Sequence, residues 1–340
     1  MSELLVNVVR GALTESRHMG DIALVDRAGR LLASVGDGER VTYARSSAKP
    51  LQTLPLVESG AADAFAMSDE EIALCCASHS GEEMHVTKVR AFLNRIGVPE
   101  SALQCGVHPP YHQPSYEALL RSGTQVSAIH NNCSGKHAGM LALAKFLGAD
   151  LDTYLDVNHP VQQAVLSVVR EVCDLDESQL VLGTDGCGVP VFGMPIRNLA
   201  LAFARFADPE DMPDGRARAM RRIARAMMSH PHLVAGTDRF CTALMQAGQG
   251  TLLGKAGAEG VYCVGIAPQG FGLCVKVDDG NARAAYPSVV EALRQAQVVD
   301  KDVIDALASF HRPQLKNHQG TVVGSLQTAF TLRPPHETDK

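Results

Sequence analysis

The chain has 340 residues, with 31 Lys and Arg against 37 Asp and Glu, for a net charge of −6. That balance speaks against a nucleic-acid binder, which normally carries a basic stripe. With 46% hydrophobic and 20% charged residues, bulk disorder is also excluded.

Strand signals open the chain over 4–9, 21–26 and 31–35, the last after the turn-forming Arg27-Ala-Gly29, with another over 41–44. The middle reads as helical, because 69–77, 83–96, 115–122, 135–147 and 160–173 carry apolar residues at helical spacing. Within 87–96, for instance, Val89, Phe92, Leu93 and Ile96 fall on one side. A polar loop over 208–214 precedes a basic helix over 216–228. Strands are expected over 251–256, 260–267 and 272–277, with a short one over 282–285 and a terminal helix over 288–298. The polar stretch 332–340 is expected to fray. This order predicts a mixed α/β (α+β) fold, an antiparallel sheet built from N- and C-terminal segments around a helical insertion. The chain reads as a single unit over 1–340, with 1–60 and 240–300 supplying the sheet and 61–239 mainly helical.

No uncharged apolar run approaches the roughly 20 residues of a membrane helix, and residues 1–10 do not read as a secretory signal. Nine cysteines are scattered without the spacing of a disulfide scaffold. The expectation is a reduced cytoplasmic protein in which most thiols are small buried hydrophobes.

Five segments could carry chemistry. In Arg45-Ser46-Ser47-Ala48-Lys49 a serine and a lysine lie one helical turn apart, so a neutral amine could take the hydroxyl proton. A capping serine and a surface lysine would give the same short pattern, and Pro50 is tolerated only in a first helical turn. Cys76-Ala-Ser78-His79-Ser80-Gly81-Glu82 joins two helical runs. Asn131-Asn-Cys133-Ser134-Gly135-Lys136-His137 places a thiol, an amine and an imidazole at a helix start. It lacks the upstream glycine and the following Ser or Thr of a phosphate loop, so nucleotide binding is rejected. Gly183-Thr-Asp185-Gly-Cys187-Gly188 is a turn that presents one acid and one thiol. Cys133 and Cys187 could share a metal or be core thiols, and no Cys-x-x-Cys pair settles the matter. Lys255, at the end of a strand, completes the set.

In their order along the chain these segments resemble the Rhizobium-type (class 3) L-asparaginases, the asparaginase II family. Also matching are Glu15-Ser-Arg-His18, Tyr43-Ala-Arg-Ser-Ser-Ala-Lys-Pro-Leu-Gln52 and His130-Asn-Asn-Cys-Ser-Gly-Lys-His-Ala-Gly139. The resemblance implies a fold similar to serine β-lactamases and serine-dependent glutaminases, and hydrolysis of L-asparagine to L-aspartate and ammonia. It implies two serine–lysine tandems, Ser46 with Lys49 and Ser78 with Lys255, and a zinc ion held by Cys133, Lys136 and Cys187. Arg45, Asp185 and His137 are then the expected substrate contacts, and a homodimer the expected assembly. The competing readings are a glutaminase or other amidohydrolase on the same fold, and a zinc-stabilised binding protein without catalysis.

Overall fold

The computed structural model describes residues 1–267 and 269–334. Met1–Ser47, Gly193–Pro209 and the chain from Ala243 onward form one compact unit; Ala48–Phe192 and Glu210–Thr242 form the other.

The strands are β1 (Glu3–Arg10), β2 (Leu13–Asp26), β3 (Leu31–Val35), β4 (Val41–Tyr43), β5 (Val181–Thr184), β6 (Pro190–Pro195), β7 (Leu252–Ala256), β8 (Val261–Ile266), β9 (Phe271–Val277), β10 (Gln314–Lys316) and β11 (Val322–Thr328). In the first unit an antiparallel sheet runs β10-β11-β1-β2-β9-β8-β7, with β3 also paired to β2. The helices are α1 (Lys49–Glu58), α2 (Ala61–Ala64), α3 (Asp69–Cys75), α4 (Glu83–Arg95), α5 (Gln113–Ser122), α6 (Ser134–Phe146), α7 (Pro160–Val172), α8 (Ile196–Ala207), α9 (Asp214–Ser229), α10 (Pro231–Val234), α11 (Phe240–Gly248), α12 (Ala282–Gln295), α13 (Lys301–Ala306) and α14 (Ala308–His311).

Every residue of β8 is buried, because the sheet is covered on both faces. On one face α8 lies so close that a Cβ on Gly272 would sit 1.9 Å from the Ala200 carbonyl oxygen, and one on Gly265 2.6 Å from that of Phe203. Side chains alternate along a strand, so Tyr262 points the other way and meets the Tyr286 ring of α12 at 5.8 Å. Lys255 pairs across the ladder with Cys263, and Cys263 with Cys274, which puts Lys255 on the α8 side. In the second unit α1 packs on α6, α7 and α9, while α3 packs on α6 and α9.

Most expected elements are present with ends shifted by a residue or two, such as α4 over Glu83–Arg95 and α7 over Pro160–Val172. The strand expected over 282–285 is instead the first turn of α12, where the Asn281 side chain accepts from the Arg283 amide at 3.1 Å. Capping by Asn starts a helix there, and the alanines that follow are good helix formers. The helix expected over 288–298 is the rest of α12; it does not end the fold, since β11 returns to pair with β1. No element was expected where α8 lies. Arg333 bridges Ser34 through two backbone hydrogen bonds, and 335–340, part of the expected frayed tail, lies outside the described residues. Among the described residues no helix is long and apolar enough to cross a membrane.

Candidate active site

Lys49 opens α1 with Pro50 in the first turn, where a missing amide hydrogen costs no helical bond. Its side chain is completely buried. A buried amine needs partners, and three oxygens surround this one. Nζ donates to the Ala77 carbonyl and, at 3.4 Å, to that of Asn132, and it lies 3.0 Å from Ser78 Oγ. An ammonium satisfies all three oxygens with its N–H groups. A neutral amine gives two N–H groups to the carbonyls, which can only accept, and turns its lone pair to the hydroxyl, which can donate. The arrangement therefore lets the Ser78 proton pass to Lys49 when the amine is neutral. Sequence reading couples Lys49 with the nearby Ser46; the structure sets it against Ser78.

Ser78 lies in the loop between α3 and α4 and is nearly buried. His79 Nδ1 accepts from the Gly81 amide at 3.2 Å, so its proton sits on Nε2, 2.9 Å from Ser134 Oγ. His85 repeats the pattern, accepting from the Glu82 amide at 3.1 Å and donating to the His232 carbonyl at 2.9 Å. The two rings stack at 4.8 Å. Burial first, and the neighbouring His85 and Lys49 second, hold the His79 pKa well below the ordinary histidine range.

A second cluster is built on α6. Cys133 precedes its first residue and Lys136 sits in its first turn. Cys187 comes from a tight turn closed by Gly188 N–H to Asp185 C=O at 2.8 Å, with Gly188 at φ +88 and the Asp185 amide bonded to Val189 at 2.9 Å. Lys136 Nζ donates to Cys187 Sγ at 2.9 Å. The hydrogen bond from the Cys187 thiol, against the penalty of burial and with help from Lys49 and Lys136, pulls the Cys133 pKa well below the usual thiol range. The same shared proton, with burial, pushes Cys187 up. Burial works against the Lys136 charge, but the two thiols and Asp185 outweigh it and raise its pKa. Asp185 Oδ2 is 3.7 Å from Cys187 Sγ. His137 faces the interior, its Nδ1 2.7 Å from the Tyr154 hydroxyl. Among the described residues, no three His, Cys, Asp or Glu side chains gather in a metal-binding group; the cluster here is two thiols and an amine.

The remaining candidates belong to the first unit. Arg45 follows β4 at φ +51, a left-handed conformation uncommon for a side-chain-bearing residue, and its guanidinium is 3.8 Å from Glu259. Ser46 is half-buried. Lys255 is 1% exposed and donates to the Ala256 carbonyl at 2.9 Å. Two residues on, a Cβ on Gly257 would lie 2.8 Å from the Ala44 carbonyl oxygen and 3.4 Å from the Ser47 amide nitrogen. The end of the Lys255 strand thus abuts the segment that carries Arg45 and Ser46.

Sequence reasoning missed the carbonyls of Ala77 and Asn132, since a backbone acceptor leaves no mark in residue type. It assigned no role to Glu82 or to Thr237, which donates to the Glu82 carboxylate through N–H at 2.8 Å and O–H at 2.7 Å. The crowding of polar residues in 78–82 was the available signal.

No curated protein matches the chain. The family described as L-asparaginase II matches it over residues 6–328. A match of that extent makes the protein an amidohydrolase of the L-asparaginase type. The chain belongs to the L-asparaginase II family.

Proposed function

We propose that the protein hydrolyses L-asparagine to L-aspartate and ammonia through an acyl-enzyme formed on serine, with lysine as the proton carrier. The observation that carries this reading is the buried Lys49 amine, fixed by two carbonyls and 3.0 Å from Ser78 Oγ. Ser46 is the proposed nucleophile, as the resemblance implies, and Ser78 with Lys49 the proton-transfer pair. The serine oxygen bonds to the side-chain amide carbon, its proton passes to a lysine amine, and that proton leaves with the departing nitrogen as ammonia. Water then cleaves the aspartyl ester, and the serine recovers a proton. Lys255 is the second proposed amine; Arg45, Asp185 and His137 are the proposed substrate contacts.

Cys133, Lys136 and Cys187 would hold zinc. The donor set fits, because a readily ionised thiol, a second thiol and an amine lie together in a buried site. Bound there, zinc supplies positive charge that polarises and orients a substrate oxygen or nitrogen. Lys136 brings its amine from α6 and Asp185 its carboxylate from the turn that presents Cys187.

Ammonia release from asparagine and from glutamine is the test, for the wild type and Ser46→Ala. The expected loss is about a thousandfold or more with asparagine, as for other essential nucleophiles. Near-normal release by Ser46→Ala would remove Ser46 as the nucleophile. Some turnover of glutamine is expected, because one methylene is worth only about 1–3 kcal/mol.

A further inference from the structure

The loop that carries Ser78 is laced on two sides with an alternation of two, like a strand without a sheet. Residues 78, 80 and 82 face one neighbouring segment: the Ser78 amide donates to Val234 C=O at 2.9 Å, Ser80 Oγ to Ala235 C=O at 2.9 Å, and the Glu82 carboxylate receives both donors of Thr237. His79, between them, faces the other way, with its amide 3.2 Å from the Asn132 carbonyl that also receives Lys49. Ser78 is therefore placed by its neighbours rather than by helix or sheet geometry.

Glu82 is the anchor at the end of this lacing. It is 8% exposed, an uncommon setting for a carboxylate, and its charge is met by an amide and a hydroxyl of Thr237. It also stands at the N-terminus of α4, where negative charge is favoured. Gly236 makes the approach possible: at φ +118, any Cβ would lie 2.3 Å from Glu82 Oε1 and 2.8 Å from Ser80 Oγ. A glycine at a conformation closed to other residues, pressed on a buried carboxylate two residues from Val234, ties the two segments at a fixed spacing.

We propose that Glu82 is a positioning residue for the hydrolytic reaction: by gripping Thr237 it fixes the Val234–Thr237 segment that holds the Ser78 backbone, and so keeps Ser78 Oγ within reach of the Lys49 amine. This rests on the reading of Ser78 and Lys49 as the proton-transfer pair. Displacing a reacting group by about 1 Å can cost about a hundredfold in rate, so loosening the anchor acts on turnover before it acts on substrate affinity.

The test compares Glu82→Ala, Glu82→Gln, Thr237→Val and Ser78→Ala in the full chain, with ammonia release normalised to folded protein by circular dichroism. Glu82→Ala is expected to lower kcat about 10- to 100-fold with KM within about twofold. Thr237→Val, which keeps the amide donor, loses less. Glu82→Gln still accepts from the amide and can donate to the threonine hydroxyl, so it recovers most of kcat. A wild-type kcat in Glu82→Ala, a rise in KM alone, or a glutamine variant as slow as the alanine one overturns the proposal. If Glu82→Ala does not fold, Thr237→Val decides: unchanged kcat overturns it. Full activity in Ser78→Ala overturns instead the proton-pair reading on which it rests.

Discussion

Cys133 and Cys187 lie far apart in sequence, and the structure brings them to one amine. Between them they part readily with one proton and hold the second, while Lys136 carries the balancing charge. A lysine binds metal only after losing its proton, so loading zinc here must release protons and weaken as pH falls. Elemental analysis is expected to find about one zinc per chain at neutral pH, falling in Cys133→Ala and in Cys187→Ala and on acidification. Stoichiometric zinc in both variants would show that the ligands lie elsewhere. The other seven of the nine cysteines are buried, as small apolar residues would be.

At the scale of elements, the segment Ser134-Gly-Lys-His-Ala-Gly139 carries two messages. Its lysine and the preceding cysteine point to chemistry, but its glycines report packing. Gly135 and Gly139 lie one helical turn apart on α6 and face the end of α3, where an added Cβ would sit 2.3 Å from Leu74 O and 2.8 Å from Cys75 Sγ. This contact sets the start of α6, and with it Cys133 and Lys136, beside the helix that ends just before Ser78. Gly135→Ala is therefore expected to destabilise the protein by about 1–3 kcal/mol, as overpacking against backbone does. An unchanged denaturation midpoint would mean that α6 shifts freely. The periodicity of 83–96 or 160–173 was legible because one face of each helix is apolar and the other wet. The run 282–285 was misread because a few small apolar residues suit either state, and only the Asn281 cap decides. The helix α8 escaped notice, although its partner glycines, Gly265 and Gly272, stand in strands where glycine is otherwise unfavourable.

For the whole molecule, several buried groups make stability depend on pH in one direction. His79 and His85 have pKa values below 6.5, with burial the leading cause. As pH falls below about 6.5 the unfolded chain takes up protons that the folded form refuses, so stability is full above that value and lost on acidification. Burial opposes the charge of Glu82 and Glu291, yet hydrogen bonds from Thr237 and from Arg294 and His311 overcome it and lower both carboxylates below 4.5. Their contribution is lost at still lower pH, with the same sign. The melting temperature is expected to drop by on the order of 5 °C between pH 7 and pH 5 and more steeply below. A flat profile over that range would mean that these imidazoles take up protons equally in the folded and unfolded chain.

The sequence by itself determined the class of fold, most of the elements and the family, because periodicity, capping and ordered motifs are local properties of the chain. It marked Ser46, Lys49, Ser78, Cys133, Lys136, Cys187 and Lys255 by residue type and setting. Only tertiary structure decided that Lys49 meets Ser78, that Cys187 meets Lys136, and that Glu82 meets Thr237. Each of those contacts joins segments distant along the chain through distances of about 3 Å. Such distances are set by how helices and glycines pack, and local residue patterns do not encode them.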